Sequence, residues 1–234
     1  MAKELAAAPE DFHIILASRD LKKVDSALND ITKTGQPKNT LSTLQLDVTD
    51  QASIDKAAAT VREKHGHLDV LVNNAGIAPT GPNLTEMFEN TFATNVYGPV
   101  HVSAAFRPLL LASKEGSYSI YVSSEVGALT GMTDPSNRLY NTHSGSVAYR
   151  ASKSALNMIA MHERLETEGT GLKVRVMCPG FVISNLRGTD EESRTAGGQA
   201  GDPTVSANLL LSILRGGRED ESHKLISAEG PIPW

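Results

Sequence analysis

The sequence predicts an α/β fold: a doubly wound parallel sheet with helices on both faces. Short apolar runs rich in β-branched residues alternate with longer segments of helical periodicity along the whole chain. Several of those runs end on Asp, Asn, Ser or Pro-Gly, residue types that turn a chain and meet ligands at the carboxyl ends of such strands. No stretch rich in Pro, Gly, Ser or charge divides the 234 residues, so a single domain over 1–234 is expected.

In chain order, residues 12–17 (F-H-I-I-L-A) form a short buried-strand pattern. Asp20 then caps a helix with Leu21, Val24, Leu28 and Ile31 at helical spacing, stopped by Gly35 and Pro37. Residues 41–47 alternate like a strand, and 50–65 read as a helix ended by Gly66. A strand at 68–72 runs into N-N-A-G, followed by one long helical segment over 85–113. The strand at 117–122 ends on Ser123-Ser124. After an irregular stretch comes a helix closed by Gly169, then a strand at 172–178 stopped by Pro179-Gly180. Asp202-Pro203 opens a last helix, with Leu209 and Ile213 on one face, and 224–227 is a final short strand.

The totals exclude several function classes. A net charge of -5 with scattered basic residues argues against a nucleic-acid-binding surface. No apolar run approaches 18 residues, so no membrane span is expected. The single Cys178 allows no internal disulfide, and the first residues lack the apolar core of a signal peptide; both fit a reducing compartment, hence a cytoplasmic location. Seven His without H-E-x-x-H spacing, and one Cys without a second thiol, give no metal site, and no G-x-S-x-G elbow supports a serine hydrolase.

The chemistry centres on Y-R-A-S-K. On a helix, Tyr149 and Lys153 are four apart and share a face, placing a phenol beside an ammonium. A nearby cation favours the phenolate and would tune the phenol toward an acid usable at neutral pH. A Tyr one turn before a Lys also occurs as plain packing with a solvated amine. The ordered company of other motifs separates the two readings.

L-D-V-T-D from Leu46, N-N-A-G from Asn73, T-N-V-Y-G-P from Thr94, V-S-S from Val122, Y-R-A-S-K and C-P-G-F-V-I-S from Cys178 together resemble the short-chain dehydrogenase/reductase family. The nearest likeness is its carbonyl-reductase-like branch, whose members resemble even the closing G-P-I-P-W. The resemblance implies a Rossmann-like fold and an oxidoreductase interconverting a small carbonyl compound and its alcohol. It implies that Tyr149 is the proton donor, and that Lys153 holds the nicotinamide ribose and lowers the Tyr149 pKa. Ser124, the second Ser of V-S-S, stabilises charge on the carbonyl oxygen; Ser123 and Ser124 alternate in direction, so only one of them faces it. Asn95 matches a position where a helix distortion lets a carbonyl hold a relay water. The same Asn read without the family is a buried amide satisfied by backbone.

For the cofactor, the resemblance implies that Asp47 meets the adenine, Asn73 and Ala75 the adenosine ribose, Tyr149 and Lys153 the nicotinamide ribose, and Val182 and Ser184 the carboxamide and phosphate side. Ser18 stands where an NAD enzyme carries an acid, and Arg19 follows; NADP(H) is therefore expected. The partner expected is a small carbonyl or alcohol, with self-association into a homo-oligomer left open. The longer connection over 129–145 is expected either to wall the substrate pocket through Leu129, Met132, Leu139 and Tyr140 or to run in solvent. The Gly-rich segment 187–201 occupies the place of the family's mobile lid.

One departure stands out. The family opens with a strand and a T-G-x-x-x-G-x-G turn whose amides receive the pyrophosphate, and neither is found here. The segment 1–9 resembles the end of the helix after that turn, so roughly 15 to 20 residues of the pattern are wanting. A late start codon, a shortened chain or a variant with repaired pairing would each account for this. The strand at 12–17 is expected either to pair with the one at 68–72 or to leave a gap beside it, and NADPH is expected to bind poorly. A catalytically silent binding or regulatory protein is the alternative reading.

Overall fold

The computed structural model describes residues 1–33, 37–140 and 147–234. Its elements are α1 (Ala2–Ala7), β1 (His13–Ser18), α2 (Leu21–Lys33), β2 (Thr40–Gln45), α3 (Gln51–His65), β3 (Val70–Asn73), α4 (Leu84–Phe92), α5 (Gly98–Leu111) and β4 (Ser117–Val122). They continue with α6 (Thr130–Thr133), α7 (Val147–Glu166), β5 (Leu172–Met177), α8 (Glu191–Thr195), α9 (Thr204–Leu214), β6 (Leu225–Ser227) and β7 (Gly230–Ile232). The predicted strand and helix rhythm is borne out, as is the α/β Rossmann-like class.

The caps follow the expected chemistry at α3 but are corrected at α9, where Pro203 and not Asp202 is the N-cap residue and Thr204 opens the helix. Asp50 accepts a hydrogen bond from the Ala52 amide at the start of α3, and Gly66 ends it in the left-handed region at φ 76°. The end of α2 predicted at Gly35 lies outside the described residues. The single helix predicted over 85–113 is corrected: α4 and α5 are separated by a π-turn at Ala93–Tyr97. Pro99 lacks the N–H that an α-helix would give to the Asn95 carbonyl, and its ring crowds that carbonyl. Gly98 is required there, since a Cβ would lie 2.9 Å from Val48 Cγ2. The final strand is also corrected, because β6 turns back through β7 as an antiparallel pair.

Described strands fall into two sheets. β1 and β2 pair in parallel, while β3, β4, β5 and β6 form a parallel run with β7 antiparallel at its edge. One core, with Leu110, Tyr121, Leu156, Val174 and Val176, lies against β4 and β5. A second joins α3 and α5 through Ile54, Val61, Val102 and Phe106, with Ile15 and Leu71 packed onto it. A third places α9 against β4, β5 and β6 through Leu209, Leu210 and Ile213, with Leu5, Val70 and Val72 beside them.

No pairing joins β1 to β3 among the described residues, so the second alternative holds: a gap lies between them. It is a cavity of about 960 Å³ bordered by both strands, α1, α3, α5 and α9.

Candidate active site

Tyr149 and Lys153 sit on α7 at the carboxyl end of β4. The Ser124 hydroxyl stands beside the Tyr149 phenol and acts to lower its pKa. Ser123 points the opposite way, its hydroxyl donating to Asn157 Oδ1 beneath α7. Of the two serines, Ser124 therefore meets the phenol. Lys153 is buried, and its Nζ donates to the Val122 carbonyl at 2.8 Å. That nitrogen lies 5.6 Å from the centroid of the Tyr149 ring.

The expected tuning of Tyr149 by Lys153 is not what the electrostatics give. Burial pushes the phenol up to about 12, opposed by the Ser124 hydrogen bond and by the field of Arg187, while Cys178 adds to the rise. Burial also pulls the Lys153 ammonium down to about 8. The correction has a simple cause: both groups are desolvated together, and burial is the largest influence on each. The phenol is thus held as an undissociated acid at neutral pH.

Asn95 lies in the π-turn and is fully buried. Its Oδ1 accepts from the Ile77 amide at 2.9 Å, and its Nδ2 donates to the Ile77 carbonyl at 2.9 Å and to Ser152 Oγ at 3.0 Å. The side chain thereby ties the segment after β3 to α7. Sequence reasoning missed Ser152, and it missed Gly127, where a Cβ would come 2.7 Å from Lys153 Cβ. The turn Glu125–Gly127 rests on α7 only because residue 127 is Gly. The signal was a Gly three residues beyond the Ser pair.

On the other side of the sheet ends, Ser18, Arg19, Asp47, Asn73 and Ala75 all border the mouth of the cavity. Asp47 Oδ1 accepts from the Thr49 amide at 2.9 Å and the Thr49 hydroxyl at 2.7 Å, which holds its pKa down with help from Arg19. Ser18 Oγ accepts from the Asp20 amide at 3.3 Å. Arg19 is exposed and enters no ion pair among the described residues. Asn73 Nδ2 donates to Ser103 Oγ at 3.0 Å. That hydroxyl lies 2.8 Å from Tyr121 Oη, which donates to buried Glu163 at 2.6 Å. A buried polar chain therefore links Asn73 to α7.

Neither Tyr149, Lys153 nor Ser124 borders the large cavity, so the cavity and the Tyr149–Lys153 pair are separate features. Gly76 connects the two regions: it lines the cavity, and a Cβ on it would stand 3.8 Å from Lys153 Nζ. Val182 and Ser184 follow β5, and their segment is stapled by Arg187. The Arg187 Nη2 donates to the carbonyls of Val182 and Arg194, each at 2.8 Å, and its guanidinium lies 4.7 Å from the centroid of the Phe181 ring. The expected lid contains α8, capped by Asp190 accepting from the Ser193 amide at 2.9 Å. In the 129–145 connection Leu139 is buried, whereas Leu129 and Met132 are exposed and so do not wall an interior; residues 141–145 lie outside the described residues.

The donor set fits a nicotinamide dinucleotide at its two ends. A carboxylate, an amide and an exposed guanidinium stand at the cavity mouth, and a buried Tyr-Lys pair stands beyond Gly76. Between them, no described strand and Gly-rich turn presents main-chain N–H groups to a pyrophosphate. No group of three or more potential metal ligands occurs among the described residues, and no described helix is long and apolar enough to cross a membrane.

A family model described as short chain dehydrogenase matches residues 1–195. The short-chain dehydrogenase/reductase tropE of Talaromyces stipitatus is 29% identical over 251 residues, covering 98% of this chain and 90% of that protein. The short-chain dehydrogenase/reductase eupG of Phoma sp is 30% identical over 261 residues, covering 100% and 92%. Among solved structures, NADPH-bound carbonyl reductase from chicken fatty liver superposes with a TM-score of 0.81 at 27% identity, covering 100% of this chain and 92% of that one. Carbonyl reductase Sniffer of D. melanogaster gives 0.78 at 25%, covering 99% and 92%.

Proposed function

We propose, for a chain that belongs to the short-chain dehydrogenase/reductase family, that it reduces a ketone or aldehyde of a small organic substrate with NADPH, or runs the reverse reaction. The observation that carries this reading is an undissociated Tyr149 phenol beside the Ser124 hydroxyl, with the Lys153 Nζ 5.6 Å from the centroid of its ring.

In this reading Ser124 holds the substrate oxygen and Tyr149 gives it a proton as negative charge develops there. Lys153 places a cation beneath the forming phenolate, and Asn95 keeps the 77 segment and α7 in register. Bound NADPH supplies the hydride. Arg19 and Ser18 would receive its 2'-phosphate, Asp47 its adenine, Asn73 and Ala75 its adenosine ribose. Tyr149 and Lys153 would hold the nicotinamide ribose, and Val182 and Ser184 the carboxamide and phosphate side. A reducing compartment, the cytoplasm, suits the buried Cys178 thiol.

The test is NADPH consumption with a reactive diketone or quinone, compared with Tyr149→Phe. The reading expects turnover that the substitution removes. A second reading, a silent binding protein of the same family, is favoured by the open slot between β1 and β3. Equal inertness of both folded chains would select it.

A further inference from the structure

Arg187 is held between the segment that follows β5 and the helix α8, and its guanidinium is half-buried. Its Nε donates to the Ser193 carbonyl at 3.2 Å, and Nη2 spends both of its hydrogens on the carbonyls of Val182 and Arg194. Of the five N–H groups of a guanidinium, the two on Nη1 remain. Nη1 has no hydrogen-bond partner among the described residues, and solvent reaches it.

The charge is unbalanced as well. Arg107, Arg175 and Arg218 are likewise withdrawn from water, and they face Glu163, Glu219 and Glu221 respectively. Arg187 enters no ion pair among the described residues. Carbonyl dipoles offset part of the cost of taking a cation out of water but leave its charge in place. The field of that charge reaches the Tyr149 phenol, where it favours the phenolate. A cation with a free N–H pair thus stands within electrostatic range of the proposed proton donor.

The chemistry of a partner follows from the N–H groups that are left. A phosphate is gripped best by two guanidinium nitrogens at once, and both Nε and Nη2 are already committed to main chain. Nη1 alone suits one oxygen of a carboxylate. A neutral oxygen could accept the same bond but would leave the charge unbalanced, and the bond would be weaker.

We propose that Arg187 recognises a carboxylate on the substrate, so that the chain acts on oxo acids, or on the corresponding hydroxy acids, in preference to neutral carbonyl compounds. This rests on the oxidoreductase reading for the place of the carbonyl beside Ser124 and Tyr149. The carboxylate is unchanged by the reaction, which takes up one hydride, supplied by NADPH, and one proton, given by Tyr149. Because three carbonyls already fix the guanidinium, little side-chain freedom is lost when the acid binds.

The experiment titrates the purified 234-residue chain by calorimetry with levulinate and its next longer oxo-acid homologues, each compared with its own methyl ester, and follows NADPH oxidation with the same compounds. At least one acid should bind about tenfold or more tightly than its ester, the range for a hydrogen bond to a charged group. Arg187→Met should bring that ratio to about one, and Arg187→Lys, which keeps the charge, should hold it above about threefold. The ratio is the readout, because loss of the staple between Val182 and Arg194 would weaken acid and ester alike. A ratio near one in the wild-type chain, or one that Arg187→Met leaves unchanged, would overturn the proposal. Salt gives a second reading on the unaltered chain: going from about 0.05 to 0.5 M should shrink the ratio at least about twofold, and a salt-independent ratio would also overturn it. Binding of inorganic pyrophosphate that Arg187→Met removes, with no acid preferred over its ester, would overturn it in favour of a cofactor phosphate. Preference in binding without NADPH oxidation would support the carboxylate site and overturn the oxidoreductase reading; oxidation without preference would do the reverse.

Discussion

β4 and β1 are both six-residue strands of a parallel sheet, yet they live in different surroundings. Five of six residues in β4 are buried, and the sixth is half-buried; in β1 none is buried. β4 has β3 on one side and β5 on the other, whereas β1 has β2 alone. The proposed reaction centre stands at the end of the strand with two neighbours, where Lys153, Asn95 and Ser123 are all buried and bonded. The Arg19 end has one neighbour and an exposed side chain. The proposed catalytic residues thus stand on a strand paired on both sides, and the proposed dinucleotide contacts on one paired on a single side. Buried sites transmit small misplacements strongly, and exposed ones absorb them.

Five measurements would break or sharpen this contrast. Tyr149→Phe should cut NADPH-dependent turnover by about 10²- to 10⁴-fold with the fold retained by circular dichroism, the range for losing a general acid. A smaller loss would place the proton donor elsewhere. Native-state exchange should be at least about a hundredfold faster at β1 amides that face β2 than at β4 amides, since opening free energies fall with sparse burial. Equal protection would erase the distinction between the strands.

Gly127→Ala should destabilise the fold by about 1 to 3 kcal/mol, because the added Cβ meets Lys153 at 2.7 Å and overpacks the most rigid contact of the site. Thermal unfolding checks it, and an unchanged midpoint would mean that the 125–127 turn yields freely. Lys153 supplies a pH signature. Its folded pKa of about 8 lies below its ordinary 10.5, so the folded state carries fewer protons between those values and this group makes stability rise with pH there. Cys178, whose thiol is pushed up from its ordinary value by burial, acts with the opposite sign above pH 9. The pH slope of unfolding in wild type minus that in Lys153→Met isolates the lysine; a zero difference would show its ammonium to be solvated. The smallest effect belongs to the loose side: Arg19→Ser should raise KM for NADPH about tenfold, from loss of one charge-assisted contact, and leave NADH unchanged. Equal effects on both cofactors would remove Arg19 from 2'-phosphate recognition.

Most of this contrast could be read from residues alone, but unevenly. Period-two and period-3.6 patterning located β1 to β6 and the main helices because burial repeats with the backbone. The Ser-Tyr-Lys meeting was legible because motif order fixes which strand ends face which helix. The π-turn was not legible as periodicity, since Phe92 and Phe106 flank it with nearly continuous helical spacing; the helix distortion that the resemblance implies at Asn95, together with Gly98-Pro99, carried the signal. The Lys153 and Tyr149 acidities were misread because sequence gives proximity but not desolvation, and here burial outweighs the charge pairing. Arg187 escaped notice because its partners are carbonyls, which leave no mark in a side-chain alphabet.

The strand β7 has a practical corollary. Trp234 Nε1 donates to the His223 carbonyl at 3.0 Å, and Thr130 Oγ1 donates to the Pro233 carbonyl at 2.9 Å. Displacing residues 233 and 234 would therefore be felt at α6 and, through it, at the Glu125–Gly127 turn, some hundred residues away in sequence.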